Sequence, residues 1–482
     1  MAPFTAPNEL TPRPYQHEAV EQWLGNQGRG IFDMATGTGK TLTALFATES
    51  LAAALDGHLT IVVLAPYQHL VDQWVTEIES FGSTPLKAYQ SRTTWTDEFS
   101  SLITEFNTNS RDIVCVVTTH ATFSMDHFQR MLDRLPGERT LIIADEVHHL
   151  GSPEYRTALP DEALFRLGLS ATPSRYYDER GNDALDAYFG DAVYTYDLPD
   201  AIADGYLCEY YYVPHIIELT ADEQEQYLAI SKAIARILDR EGLDFSALDF
   251  SQHPELQRLL IRRSRLTGAA RNKLTVLDSL IEQQPDITHT LVYCGTGRVP
   301  TESPANNHAD EADTDETKRQ LRAVTELLGE EKRLNVHQFT YEESQSERER
   351  LLNDFEAGTL QVLVAIRCLD EGVDIPATQT AYMLASSSNP RQFIQRRGRI
   401  LRQHPGKQYA IIHDFLVRPP DEVINATDDS FTAERSLVKK ELQRASTFAE
   451  SARNHPDADL PNIPTTDDSL LNLRKNFNLL DT

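Results

Sequence analysis

Short apolar runs rich in β-branched residues come in two series along this chain, and segments with helical patterning separate them. The first series is LTIVVLAP (59–66), DIVCVVTT (112–119), TLIIADE (140–146) and LFRLGLSAT (164–172). The second is HTLVYC (289–294), LNVHQFT (334–340), QVLVAIR (361–367), TAYMLAS (380–386) and QYAIIHDFL (408–416). A strand that is apolar on both faces must be covered on both sides, which a parallel sheet achieves by packing its helical crossovers above and below itself. The expected fold is therefore α/β, with two tandem doubly wound parallel-sheet lobes and a helical insertion between them or on the second. The boundaries expected are 1–205 for the first lobe, 206–285 for a connecting strand and the insertion, 286–420 for the second lobe, and 421–482 for a C-terminal helical segment with a polar tail.

Between the series, the basic cluster Arg262, Arg263, Arg265, Arg271 and Lys273 reads either as a phosphate-tracking face or as a solvated helical one. Residues 295–318 are acidic and nearly free of large apolar side chains, which predicts a mobile loop. In SQSERERLLNDFEAG (344–358), Ser344 and Glu347 have capping-box spacing and Gly358 is placed to stop the helix. The segment from about 456 is polar and expected to be extended.

No run of about 18 apolar residues predicts a membrane span, and the first residues have neither a basic nor an apolar signal region. A cytoplasmic location is expected. Cys115, Cys208, Cys294 and Cys368 are widely separated and lack metal-ligand spacing, so they read as reduced structural thiols. With 73 acidic against 45 basic residues the formal net charge is −28, which ordinarily argues against a nucleic-acid partner. Most of the basic residues are arginine, however, and an acidic, lysine-poor surface resembles proteins of salt-accumulating halophiles. At about 1 M salt the Debye length is roughly 3 Å, so net charge then says little about the ligand.

Against that acidic background, RQFIQRRGRILR (391–402) concentrates arginine, which reads either as a solvated helical face or as a group that needs an anion to meet. FDMATGTGKTLTALF (32–46) supplies a candidate. The strict P-loop pattern wants glycine where Met34 stands, but Gly37, Gly39, Lys40 and Thr41 remain, followed by a helical run. Glycine lets backbone N–H groups turn onto phosphate, Lys40 reaches the β and γ oxygens, Thr41 ligates Mg²⁺, and the helix N-terminus adds its dipole. In LIIADEVHHL, Asp145 and Glu146 end an apolar strand. Asp145 suits Mg²⁺ and Glu146 suits the attacking water. Together the two motifs read as a nucleoside triphosphatase. Gln16, in RPYQHEAVEQW, could hydrogen-bond adenine N6 and N7 together, although alone it reads equally as a helix-start glutamine.

Taken in order, Gln16 in RPYQ, then ATGTGKT, VLAPYQHLVDQW, DEVH, SATP, VLVAIRCLDEGVDIP and QRRGRILR resemble the motifs of superfamily-two helicases, over residues 13 to 416. RLGLSATPSR, RNKL and LDEGVDIP most resemble the xeroderma-pigmentosum-B type DNA translocases, and the motor subunits of restriction systems are also similar. That family's P-loop does not need the glycine absent at Met34. The resemblance implies RecA-like lobes, and an ATP site drawn from Arg13, Gln16, Thr36, Gly37, Thr38, Gly39, Lys40 and Thr41, with Gly372, Asp374 and Gln395 facing the nucleotide from lobe two. It implies that Lys40, Asp145, Glu146, Arg399 and Arg402 are catalytic, the two arginines as fingers, with Thr41 and Asp145 on Mg²⁺. Coupling falls to His148, Ser170 and Thr172. Nucleic-acid contact falls to Gln68, Thr118, Thr119 and Arg367, although Ile366 stands where the family commonly has threonine. Arg175 and Asp178 loosely resemble an Arg-Glu-Asp element that lacks its middle residue here.

Gln395, Arg399 and Arg402, spaced i, i+4, i+7, would share one helical face, while Phe393, Ile394, Arg397, Ile400 and Leu401 would pack against lobe two. The function implied is an ATP-dependent DNA helicase or double-strand translocase, in DNA repair or in a restriction or phage-defence system. An RNA helicase and an ATP-gated DNA clamp that recruits a partner nuclease are the alternatives. No nuclease constellation stands out, so cutting would come from a partner.

Overall fold

The computed structural model describes residues 4–172, 178–243, 245, 253–284, 286–295, 315–340, 343–366, 375–385, 390–424 and 431–454. The chain divides into two compact units, residues 1–201 and 202–482. The first holds strands β1 (Arg29–Met34), β2 (Leu59–Ala65), β3 (Leu86–Ala88), β4 (Ile113–Thr119), β5 (Thr140–Ala144), β6 (Phe165–Ser170) and β7 (Ala192–Tyr196). They form one parallel sheet in the order β3-β4-β2-β5-β6-β1-β7. Every residue of β2 and β5 is buried, as runs apolar on both faces require. Helices Lys40–Ala54, Gln68–Ser80 and Arg92–Asn107 supply crossovers, and Trp95, Phe99, Ile103 and Phe106 bury one face of the last.

The second unit holds β8 (Glu209–Glu218), β9 (Thr290–Cys294), β10 (Val336–Phe339), β11 (Val362–Ile366), β12 (Thr380–Met383) and β13 (Tyr409–Arg418), in the order β10-β11-β9-β12-β13-β8. These ladders are also parallel. The strand at 209–218 pairs with β13 along its whole length and forms the edge of this sheet. That position tolerates Pro214, which has no N–H for a second ladder.

Helices Ala221–Glu241 and Pro254–Gly268 pack with Thr432–Glu450 around a separate cluster of Ile230, Ile234, Ile237, Phe245, Leu256, Leu260 and Ala433. The insertion and the C-terminal helix thus share one small core. Ser344 and Glu347 close the capping box ahead of helix Gln345–Glu356, and Gly358 follows its end at φ 74°. The mobile loop expected over 295–318 is contradicted at its end. A helix already begins at Asp315, and residues 296–314 lie outside the described residues, as does the segment from 455.

Candidate active site

In a parallel sheet every strand ends on the same edge, so motifs that follow strands are gathered there without further instruction. Across the first unit, β4 delivers Thr118 and Thr119, β2 leads to Gln68, β5 to Asp145 and Glu146, β6 ends at Ser170, and β1 opens into the 35–39 loop. The sheet order sets these side by side in that sequence.

At the β1 end, Gly37 and Gly39 adopt φ of 90° and 83°, left-handed geometry that turns the loop before helix Lys40–Ala54 begins. The helix has no side-chain cap and no acidic residue in its first turn, which leaves its N–H dipoles to an anion. Lys40 Nζ donates to the Met34 carbonyl at 3.1 Å, holding the ammonium over the loop. Thr38 is fully buried, donates to the Ala35 carbonyl at 2.7 Å, and offers its own carbonyl to the Tyr15 hydroxyl. Thr36 Oγ1 is buried without a hydrogen-bond partner, a hydroxyl that a phosphate oxygen or a bound water would satisfy.

Gln16 is placed differently from the base-reading role that the sequence suggests. It is 3 % exposed, its Oε1 accepts from the Arg13 N–H at 2.9 Å, and its Nε2 donates to Thr43 Oγ1 at 3.2 Å. The amide edge is turned onto the helix start and the P-loop helix, so Gln16 acts as a strut between them. Arg13 reaches the Tyr15 hydroxyl at 3.1 Å, and Tyr15 stacks on Tyr196 at 4.1 Å.

Asp145 is half-buried, and desolvation raises its pKa, opposed by the Trp74 hydrogen bond and by the charge of Lys40. Its Oδ2 accepts from Trp74 Nε1 at 2.9 Å and its Oδ1 from the Glu146 N–H at 3.0 Å. Glu146 sits at φ 45°, ψ 54°, a left-handed conformation that is uncommon for a non-glycine residue. Its carboxylate lies 3.5 Å from His148 Nδ1, which is 3.4 Å from Ser170 Oγ. Ser170 Oγ in turn accepts from the Thr172 N–H at 3.0 Å. DEVH and SATP are therefore joined through Ser170. Thr172 Oγ1 is a second buried hydroxyl lacking a partner.

Trp74 escaped the sequence reading, although it lies within VLAPYQHLVDQW. So did His120, 2 % exposed, whose pKa burial and then neighbouring His149 push down to about 3.

Gln68 opens helix Gln68–Ser80 and is exposed. Thr118 is fully buried and donates to the Ala88 carbonyl at 2.5 Å, so its hydroxyl serves the sheet and cannot meet a phosphate. Thr119 caps the next short helix by accepting from the Thr122 N–H. Asp178 likewise caps helix Glu179–Phe189 by accepting from the Gly181 N–H at 2.8 Å. Arg175, Arg367, Gly372 and Asp374 lie outside the described residues.

In the second unit, helix Pro390–Ile400 carries the arginines. Phe393, Ile400 and Leu401 are buried, as their period requires. Arg397 is buried too, donating to the Thr447 carbonyl at 3.0 Å, and Arg396 lies 3.9 Å over the Tyr293 ring. Gln395 is 7 % exposed, while Arg399 and Arg402 are partly exposed.

The basic cluster in the insertion divides: Arg263 and Lys273 are tied into the interior, while Arg262 is exposed and Arg271 makes a surface pair. Arg263 pairs with buried Glu434 at 2.6 Å, Arg271 pairs with Asp222, and Lys273 is buried against the Leu384 carbonyl. Cys115, Cys208 and Cys294 are buried and free, while Cys368 lies outside the described residues.

Among the described residues, no helix is long and apolar enough to cross a membrane, and no group of three or more His, Cys, Asp or Glu could hold a metal alone. Asp145 with the Thr41 hydroxyl instead suits an ion that takes its other ligands from phosphate and water.

Residues 9–175 match the family model described as type III restriction enzyme, res subunit, and residues 314–404 match the helicase conserved C-terminal domain. The chain is 27% identical over 400 residues to the DNA 3'-5' translocase XPB2 of Sulfurisphaera tokodaii, covering 81% of this chain and 78% of that one. It is 27% identical over 395 residues to the putative DNA 3'-5' helicase Rad25 of Haloarcula marismortui, covering 81% of this chain but 50% of that relative's length. Two solved structures share the fold at 17% identity. The DNA-bound type ISP restriction-modification enzyme LlaBIII has a TM-score of 0.61 over 98% of this chain and 32% of its own. The Hef helicase domain of Pyrococcus furiosus has a TM-score of 0.54 over 84% of this chain and 95% of its own.

Proposed function

We propose that the chain is a superfamily-two helicase, an ATP-dependent DNA helicase or double-strand DNA translocase working in DNA repair or in a restriction or phage-defence system. One observation carries the reading. Along a single sheet edge, Lys40 stands in the field of Asp145, Ser170 ties Glu146's neighbour His148 to Thr172, and Gln68 and Thr119 follow on the far side. A hydrolysis site and a candidate phosphate track are thereby joined by short, hydrogen-bonded segments.

Lys40 and the N–H groups of the 37–41 turn bind the β- and γ-phosphates. Asp145 and Thr41 would hold Mg²⁺, which when bound neutralises phosphate charge. Glu146 orients the attacking water and accepts its proton, and its left-handed backbone sets where that carboxylate points. Arg399 and Arg402, with Gln395, supply positive charge to the transferred phosphoryl, and Gly372 and Asp374 complete the nucleotide contacts. Gln68 and Arg367 meet backbone phosphates, which makes binding sequence-independent, while the buried Thr119 hydroxyl is committed to Thr122 and shapes the strand end beside them. A partner nuclease or repair protein supplies any further chemistry. Buried free thiols suit a reducing compartment such as the cytoplasm.

The test is steady-state ATPase activity without polymer and with single-stranded DNA, duplex DNA or RNA. Stimulation by DNA, strongest with duplex, is expected, and Lys40→Ala should abolish it. Stimulation by RNA alone would replace this reading with an RNA helicase. Tight DNA binding with negligible turnover would replace it with an ATP-gated clamp.

A further inference from the structure

The last carbonyls of a helix have no partners within it, and helix Pro390–Ile400 lacks the glycine that commonly closes such an end. A lysine closes it. Lys407 is 5 % exposed, and its Nζ donates to the Ile400 carbonyl, to the Arg402 carbonyl at 3.0 Å and to the Pro376 carbonyl at 3.1 Å. The turn that aims it is written in the sequence HPGK. The Lys407 N–H donates to the His404 carbonyl at 3.0 Å, with Pro405 at the second position and Gly406, φ 85°, at the third. The intervening carbonyl, of Leu401, is taken by the Cys208 N–H at 2.7 Å, beside an antiparallel bridge between Leu207 and Arg402. Gln403 Nε2 adds a bond to the Gly205 carbonyl at 3.2 Å. The chain enters this unit at Ile202 and is thus fastened almost at once to the end of the arginine helix.

We infer that Lys407 is a positioning residue for ATP hydrolysis, stapling residues 400–402 so that Arg399 and Arg402 are held in a working geometry against the anchored 205–208 segment. The inference rests on the helicase reading and on those two arginines acting on ATP. A cation on helix-end carbonyls also opposes the helix dipole, so its charge as well as its length matters.

Burial, the leading effect, lowers the Lys407 pKa to about 8, opposed by the Cys208 thiol. The titratable and charged groups around it are Cys208, with Glu209 beside it on β8, Arg402 on the helix end, and the His404–Glu356 pair, 3.2 Å apart. A lysine whose folded pKa is depressed makes the fold more stable, not less, as pH rises from about 8 toward the ordinary 10.5. Loss of turnover in that window is therefore separable from unfolding.

The experiment follows DNA-stimulated ATPase from pH 7 to 10, with ATP affinity and thermal unfolding measured alongside. The unsubstituted protein should lose kcat through about pH 8. Lys407→Met should lower kcat by about 10–100-fold, as expected for a misplaced catalytic group, with ATP affinity unchanged and no inflection near pH 8. Lys407→Arg should restore part of kcat and keep it to higher pH. The inflection must vanish in Lys407→Met because Lys273, also brought to about 8 by burial, would titrate there as well. Unchanged kcat in Lys407→Met, or an inflection that survives the substitution, overturns the inference. Should that variant not fold, a flat kcat profile in the unsubstituted protein overturns it alone. If the unsubstituted protein shows no DNA-stimulated hydrolysis, the helicase reading itself falls and takes this inference with it.

Discussion

Trp74 illustrates how a carboxylate proposed to hold Mg²⁺ depends on a residue that performs no chemistry. Asp145 is half-buried, desolvation disfavours its charged form, and the indole N–H of Trp74 is one of the groups that oppose this. Trp74→Phe keeps most of the ring volume and removes that donor. The expected result is a loss of about 10–100-fold in kcat, or a rise of that size in the Mg²⁺ needed for half-maximal rate, as loss of a ligand's supporting partner typically costs. A magnesium titration of ATPase, with a melting curve to show that the fold is kept, checks it. Arg402→Ala should lower kcat toward the roughly 10³-fold end of the finger range while ATP affinity holds. Affinity lost with kcat retained would move Arg402 from the reaction to binding. The placement of the P-loop turn and of DEVH at strand ends was legible in the sequence, because apolar runs mark the strands that lead to them. Trp74 and Lys407 were not, since each acquires its role only from a carboxylate or carbonyl that folding brings to it. Gln16 was half legible: the sequence announced an amide at the start of a helix, but its direction is fixed by the Arg13 N–H and Thr43.

Elements buried on both sides were read with more success than edges. β2, β5, β9 and β11 are fully buried runs, and the apolar pattern marks them directly. β3 has three residues and β7 buries only Tyr196, so neither carries enough pattern to stand out. Thr118 was assigned to nucleic acid for a related reason. A strand-end threonine looks the same whether its hydroxyl faces a ligand or the neighbouring strand, and here Ala88 takes it. The insertion's arginines show the same ambiguity, which Glu434 resolves. Its carboxylate, 1 % exposed, receives Arg263, the Tyr227 hydroxyl at 2.6 Å and the Ser231 hydroxyl at 2.8 Å. Helices Ala221–Glu241, Pro254–Gly268 and Thr432–Glu450 are thereby tied at one point. Breaking such a pair from one side strands a buried charge, so Glu434→Ala should cost about 3–5 kcal/mol. Denaturant unfolding measures it, and Arg263→Met together with Glu434→Leu should recover most of the loss. A cost below about 1 kcal/mol for the single change, as surface pairs give, would mean that the network is hydrated in solution.

At the scale of the molecule, a formal charge of −28 has to be reconciled with a polyanionic track. The structure removes some of the cations that could have eased the conflict. Lys273, Arg397, Lys407 and Arg444 are buried, and Arg263 half-buried, in pairs, carbonyl cages or ring contacts, and are not spread over a surface that meets DNA. In dilute buffer the acidic surface would repel DNA over many ångströms. In about 1 M salt the Debye length shrinks to roughly 3 Å, leaving only contacts at hydrogen-bond range. Neutral donors such as Gln68 and backbone N–H groups depend less on counterion release than a lysine-rich face does. The expectation is that DNA-stimulated ATPase persists or rises between dilute buffer and molar KCl, and that the melting temperature rises with it. Measuring both across that range decides the matter. Activity that is greatest in dilute buffer and collapses while the protein stays folded would mean that cationic contacts carry the DNA, and the acidic surface would then need another explanation.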